Sequence, residues 1–260
     1  MQRVFITGAS SGIGAALARR YAQQGASLGL VARRADVLRQ FAAGLPHPER
    51  HRCYPLDVTD HAALAAAAAD FIDVMGGADV VIANAGISAG TLTEHAEDLA
   101  VFERIVATNL NATVATFAPF IATMQRQAGA GGACRLAGIA SVAGIRGIPG
   151  AGAYSASKAA VISYCESLRV ELRGSGIRVV TIAPGYIDTP MTRINPYAMP
   201  FLLAADKFAV RAQRAIDAGV SYRVIPWQMG VVAKLLRLLP NAVYDALAAQ
   251  AGRKPRNLPD

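Results

Sequence analysis

A tyrosine and a lysine four residues apart, in Tyr154-Ser155-Ala156-Ser157-Lys158, are the residues of this chain best suited to moving a proton. The run from Ala153 to Arg173 has helical character and is broken by Gly174 and Gly176. Helical positions four apart share a face, so the Tyr154 hydroxyl and the Lys158 ammonium point the same way. A phenol with an unperturbed pKa of about 10 is a poor acid or base at neutral pH. A nearby cation favours the phenolate, lowers that pKa and brings tyrosine toward useful proton transfer. Tyr-x-x-x-Lys alone is met on many helix surfaces, so its chemistry depends on the elements that position it.

Those elements begin with Arg3-Val4-Phe5-Ile6, a β-rich run ending at Thr7-Gly8-Ala9-Ser10-Ser11-Gly12-Ile13-Gly14. A helix-like segment from Ala15 to Gln24 follows and stops at Gly25. Strand, glycine turn and helix are the context of a phosphate-binding loop: the glycines let backbone approach a pyrophosphate, and the helix N-terminus offers free N–H groups. Ser27 to Val31 is a second strand, followed by Ala32-Arg33-Arg34. In dinucleotide folds an acid at this strand end binds the 2′-hydroxyl of NAD, whereas arginine accommodates the 2′-phosphate of NADP. Asp36 falls in the next helix, so Arg33 and Arg34 favour NADP(H) over NAD(H).

His51 to Leu56 reads as a third strand closed by Asp57-Val58, and Asp60 as the N-cap of an alanine-rich helix running to about Met75. Asp79 to Ala83 is a near-continuous apolar strand of the kind buried in parallel sheets, and it ends in the small residues Asn84-Ala85-Gly86. Ile177 to Ala183 and Ser221 to Ile225 supply later strands. The alternation predicts an α/β fold: a Rossmann-like, doubly wound parallel sheet of about seven strands with helices on both faces. Ligands of such sheets bind at the carboxyl ends of the strands, where each of these motifs falls.

A length of 260 residues suits one domain spanning 1–260, and 53% hydrophobic residues supply its core. Cys53, Cys134 and Cys165 have neither metal-ligand nor disulfide spacing and read as reduced thiols of a cytoplasmic protein. Met1 lies almost against the first strand, which leaves no room for a signal peptide, and no uncharged apolar run reaches about 18 residues. The net charge of +8 comes from dispersed arginines without a basic block, which fits an anionic cofactor better than nucleic acid.

With these motifs in this order, the chain resembles the short-chain dehydrogenase/reductase family, closely over residues 3 to about 190. The turn from Thr7 to Gly14 is similar to that family's cofactor fingerprint, and Asn84-Ala85-Gly86 to its motif after the fourth strand. Asn109 sits where the family has an asparagine on the long fourth helix, Ser141 follows the fifth strand, and Tyr154 with Lys158 completes the set. Pro184-Gly185-Tyr186-Ile187-Asp188-Thr189 resembles the segment at the nicotinamide end.

The resemblance implies that Tyr154 is the general acid in carbonyl reduction and the base in alcohol oxidation. It implies that Ser141 holds the substrate oxygen, that Lys158 lowers the tyrosine pKa and binds the nicotinamide ribose, and that Asn109 supports a water linking the lysine to solvent. Arg33 would read the 2′-phosphate, Asp57 and Val58 would frame the adenine, and Ile187 and Thr189 would touch the carboxamide. It implies a small-molecule carbonyl or alcohol substrate and a homodimer or homotetramer. A departure is Ala140 before Ser141, where members often carry a second serine. Methyl transfer on a similar fold leaves the Tyr–Lys pair unexplained, and a non-catalytic NADP-binding sensor would be expected to have lost it.

Pro190 to Ala218 reads as irregular and then helical, with Met191, Ile194, Tyr197, Met199, Phe201 and Leu202 near its start. It suits an apolar substrate lid, and ordinary packing against the sheet explains the same pattern equally well. The tail at 227–260 begins with an amphipathic stretch, Trp227 to Leu239, apolar apart from Gln228, Lys234 and Arg237. With Arg253-Lys254-Pro255-Arg256 behind it, this tail could lie on an anionic membrane surface. Packing on the enzyme or a second subunit explains the same pattern and is favoured, because amphipathic helices are usual in soluble domains. Arg253 to Asp260 reads as a loose end.

Overall fold

Strands that are apolar at every position need cover on both faces, and that requirement organises this chain. The computed structural model describes residues 1–250 and 252–256. Seven strands form one parallel sheet: β1 (Arg3–Thr7), β2 (Ser27–Ala32), β3 (His51–Pro55), β4 (Val80–Ala83), β5 (Cys134–Ile139), β6 (Ile177–Pro184) and β7 (Tyr222–Ile225). Their spatial order is 3-2-1-4-5-6-7. Every residue of β2 and β4 is buried. The order reverses between β1 and β4, which opens a crevice at their carboxyl ends.

One face of the sheet is covered by α1 (Gly12–Ala22), α2 (Ala35–Ala43) and α6 (Ala205–Asp217), with Leu17, Leu28, Leu30, Phe208 and Ile216 in the core between them. The other is covered by α3 (His61–Met75), α4 (Asp98–Gly129) and α5 (Gly152–Glu171), over Phe5, Phe71, Phe117, Phe120 and Leu168. Asp60 caps α3 as expected, accepting from the Ala63 backbone N–H at 3.0 Å. By length and composition α4 could cross a bilayer, but Ile105, Phe117, Phe120 and Met124 on it are fully buried within the protein. A π-helical turn at Ala107–Asn111 interrupts it beside the crevice.

Three expectations change. Helix α1 begins at Gly12 rather than Ala15, so Gly12-Ile13-Gly14 forms its first turn. The expected lid at 190–218 divides: Ala205–Asp217 is α6, whose Phe208, Ala209, Ala212 and Ile216 pack on the sheet and α1, while only 190–204 remains over the crevice side. The tail forms α7 (Trp227–Leu238) and α8 (Asn241–Ala248), and Arg253 to Arg256 is not loose. The Pro255 carbonyl accepts the Gly90 N–H at 2.7 Å, and Arg256 pairs with Asp98 at 2.9 Å. The rest of that stretch, 257–260, lies outside the described residues.

Candidate active site

At the carboxyl end of β1 the chain turns through Gly8 at φ +69° and enters α1 at Gly12. Ser11 stands at the N-cap without a side-chain capping bond, so the first-turn N–H groups of α1 have no acceptor within the helix. A Cβ on Gly14 would collide with the Gly8 carbonyl oxygen and the Asn84 amide. Asn84 Nδ2 donates to the Thr7 and Gly8 carbonyls at 2.9 and 3.2 Å, and the Asn84 and Ala85 N–H groups donate to Thr7 Oγ1 at 3.1 and 3.2 Å. Asn84-Ala85-Gly86 is thereby fastened to the turn holding Ser10, Ser11 and Ile13. The Thr189 methyl carbon lies 3.3 Å from where a Gly12 Cβ would stand, so the segment after β6 faces the same loop. A glycine cradle with free N–H groups fits a dinucleotide's phosphates.

Arg33 and Arg34 are exposed at the end of β2. Burial would raise the Asp57 carboxyl, but the backbone N–H and hydroxyl of Thr59, with the charges of Arg33 and Arg104, hold it below the usual range. Arg33 and, from α4, Arg104 thus act on the Asp57 charge, and no short-range signal marked Arg104. Val58 is buried beneath. At the far end of the crevice Pro184 closes β6, the Gly185 N–H donates to the Ile225 carbonyl at 2.8 Å, and Ile187 is buried.

Ser141 stands two residues past the end of β5, and its Oγ accepts the Ala143 N–H at 3.1 Å. Tyr154 stands in the first turn of α5, partly buried. Burial raises its pKa above the ordinary phenol value, and a hydrogen bond with Ser141 pulls the other way. Lys158 is buried, donates to the Ile139 carbonyl at 2.8 Å and lies 5.9 Å from the Tyr154 ring centre. Burial lowers its pKa to about 8. The spacing of the pair therefore holds, but the expected lowering of the phenol by the lysine is not the outcome here: removal of both groups from water dominates.

Asn109 is fully buried in the π-turn of α4. Its Nδ2 donates to the Ile87 carbonyl at 3.0 Å and to Ser157 Oγ at 2.9 Å, while its Oδ1 accepts the Ile87 N–H at 2.8 Å. The amide thus joins the Gly86 loop to α5 between Tyr154 and Lys158. Ser157 and Thr7 are partners that sequence reasoning passed over, though both lie inside motifs it had singled out. Tyr186 and Tyr197, with ring centres 6.4 Å apart, also border the site. Burial first, then Tyr186 and Tyr154, raise the Tyr197 phenol.

Sheet order, glycine cradle and serine–tyrosine–lysine cluster together define an oxidoreductase of the Rossmann-like class. Residues 2–197 match the family model described as short chain dehydrogenase. An uncharacterized oxidoreductase of Myxococcus xanthus is 36% identical, the match covering 94% of each chain. The cis-4-hydroxycyclohexanecarboxylate dehydrogenase of Sinomonas cyclohexanicum is 35% identical over 77% of this chain and 79% of its own. The 3-ketoacyl-(acyl-carrier-protein) reductase of Brucella melitensis, whose structure is a complex with NADH, superposes with a TM-score of 0.77 at 26% identity, covering 86% of this chain and 96% of that one. The chain belongs to the short-chain dehydrogenase/reductase family of oxidoreductases.

Proposed function

We propose that this protein interconverts a carbonyl compound and the corresponding secondary alcohol with NADP(H), and that Tyr154 is its general acid and base. The observation that carries the reading is the convergence of Ser141, Tyr154 and buried Lys158 on one crevice with the glycine cradle. When bound, the nicotinamide supplies or accepts the hydride. In reduction Tyr154 gives its hydroxyl proton to the substrate oxygen, which Ser141 holds by a hydrogen bond; in oxidation the phenolate takes that proton back. Lys158, held by the Ile139 carbonyl, would offer its positive charge to the nicotinamide ribose. Asn109 holds Ser157, whose Oγ donates to the Tyr154 carbonyl at 2.8 Å, and so sets the first turn of α5.

Gly8, Ser10, Ser11, Gly12, Ile13 and Gly14 would hold the pyrophosphate, Asp57 and Val58 the adenine, and Pro184, Gly185, Ile187 and Thr189 the nicotinamide end. Arg33 and Arg34 would take the 2′-phosphate. Asp36, the nearest acid in sequence, lies 3.6 Å from Arg39 instead. The test is a fluorescence titration with NADPH and NADH. Tighter NADPH binding by tenfold or more, about 1.4 kcal/mol, is expected, and Arg33→Ala should weaken NADPH far more than NADH. Equal losses for both would remove the 2′-phosphate assignment, and binding of neither would remove the oxidoreductase reading. The relative acting on cis-4-hydroxycyclohexanecarboxylate makes cyclic hydroxy compounds and ketones the first substrates to screen.

A further inference from the structure

The tail returns to the crevice as a strap between two walls that flank Tyr154. On one side the Pro255 carbonyl takes the Gly90 N–H, and Arg253 packs on Gly150. Gly150 in turn accepts the Thr91 N–H at 3.0 Å, and Thr91 Oγ1 accepts the N–H of Ala153, the residue before Tyr154. On the other side Gly252 lies against the Tyr197 ring. Arg256 pins the strap: Nε and Nη2 donate to Asp98 at 3.0 and 2.9 Å, and Nη2 also reaches Glu97 at 2.8 Å.

Lys254, between these anchors, is treated differently. Its side chain is partly buried, and burial brings its pKa down to about 8 with no acid opposing that fall. Among the described residues its one hydrogen bond is a long donation to the Met191 carbonyl, 3.4 Å away. Among the described residues no carboxylate lies within ion-pair distance of it, whereas its neighbour Arg256 has two. An ammonium carries three donors, and a desolvated one without a counter-charge is costly unless a ligand supplies the anion.

We propose that Lys254 anchors a carboxylate on the substrate, so that the substrate class is a carboxylate-bearing carbonyl compound and its hydroxy acid. The inference deepens the oxidoreductase reading and rests on it for the reaction. The phosphates of the cofactor are the other possible source of an anion near Met191, because Thr189 faces the phosphate loop.

Calorimetry on the full chain, with and without NADP+, would compare cyclohexanecarboxylate with cyclohexanecarboxamide as probes. The carboxylate should bind the wild type at least tenfold more tightly. Lys254→Met should erase that preference, Lys254→Arg should restore most of it, and both variants should bind NADPH within about twofold of the wild type. With 4-oxocyclohexanecarboxylate as substrate, Lys254→Met should raise KM at least tenfold and leave kcat within about threefold, while the methyl ester should respond little. Equal binding of the two probes by the wild type, or a preference that survives Lys254→Met, overturns the proposal. Weakened NADPH with an intact probe preference would assign Lys254 to the cofactor instead. If neither NADPH nor NADH binds, the oxidoreductase reading fails by itself, and the probe comparison without cofactor still judges Lys254.

Discussion

At the scale of single residues, burial governs both members of the Tyr–Lys pair. A phenol held above its ordinary pKa keeps its proton throughout the neutral range, which suits an acid. Carbonyl reduction should therefore be nearly flat in kcat/KM from pH 6 to about 7 and fall toward pH 9, because Lys158 loses its charge near pH 8 while the phenol keeps its proton. Oxidation needs the phenolate and should rise with pH over the same range; a fall would contradict Tyr154 as the base. Tyr154→Phe should abolish turnover in both directions while cofactor titration stays within about threefold, and retained turnover would refute the assignment. Lys158 carries a stability consequence. Its folded pKa of about 8 lies below the usual 10.5, so between these values the unfolded chain binds more protons. The lysine's destabilising effect is thus complete below pH 8 and fades as pH rises toward 10.5. At pH 7, Lys158→Met should lose activity yet gain up to about 3 kcal/mol in denaturant unfolding. A less stable variant would show that the bond to Ile139 outweighs desolvation.

At the scale of elements, the phosphate turn works because Gly8 and Gly14 leave room for the Asn84 amide between the β1 turn, α1 and the end of β4. Gly14→Ala would push its methyl into the Gly8 carbonyl and the Asn84 amide. The expected result is a loss of roughly 1–3 kcal/mol in stability, as for overpacking elsewhere, together with at least tenfold weaker NADPH binding by titration. Unchanged affinity would mean that the turn does not hold the phosphates. The π-turn of α4 serves the same end at the other wall: it carries Asn109, whose amide is satisfied by the Gly86 loop and by Ser157.

For the whole molecule, apolar side chains left on the outer helices point to self-association. Leu99 and Phe102 on α4 and Val170 on α5 are exposed, at 62%, 38% and 62%. The proposed assembly is a homodimer or homotetramer through these helices, so sedimentation should give a particle of at least two chains, and Leu99→Asp with Phe102→Asp should reduce it. A monomeric wild type would refute this. The packing expected for the tail accounts for only one side of α7. Met229, Gly230 and Ala233 are buried, while Trp227, Val231, Leu235 and Leu238 form an exposed row at helical spacing. Flotation with anionic liposomes, with and without 227–260, would show whether that row meets a membrane.

What the sequence determined by itself was local and periodic. Runs of β-forming residues, apolar throughout in β4, placed six strands within a residue or two, glycine spacing after β1 marked the turn, and Asp60 announced a helix that it does cap. The candidate site was legible in part for the same reason: many of its residues sit at strand ends, and Tyr154 and Lys158 share one helical face, where short spacing decides what is neighbour to what. Tertiary structure decided what depends on distant partners. The helical stripe of Phe208, Ala209, Ala212 and Ile216 could be told from a lid only once α1 stood opposite it. Arg256 could be told from a loose end only once Asp98, 158 positions away, was brought beside it. The protonation balance of Tyr154 and Lys158 was beyond spacing altogether, because spacing sets which charges are near, whereas desolvation is set by everything the fold packs around them.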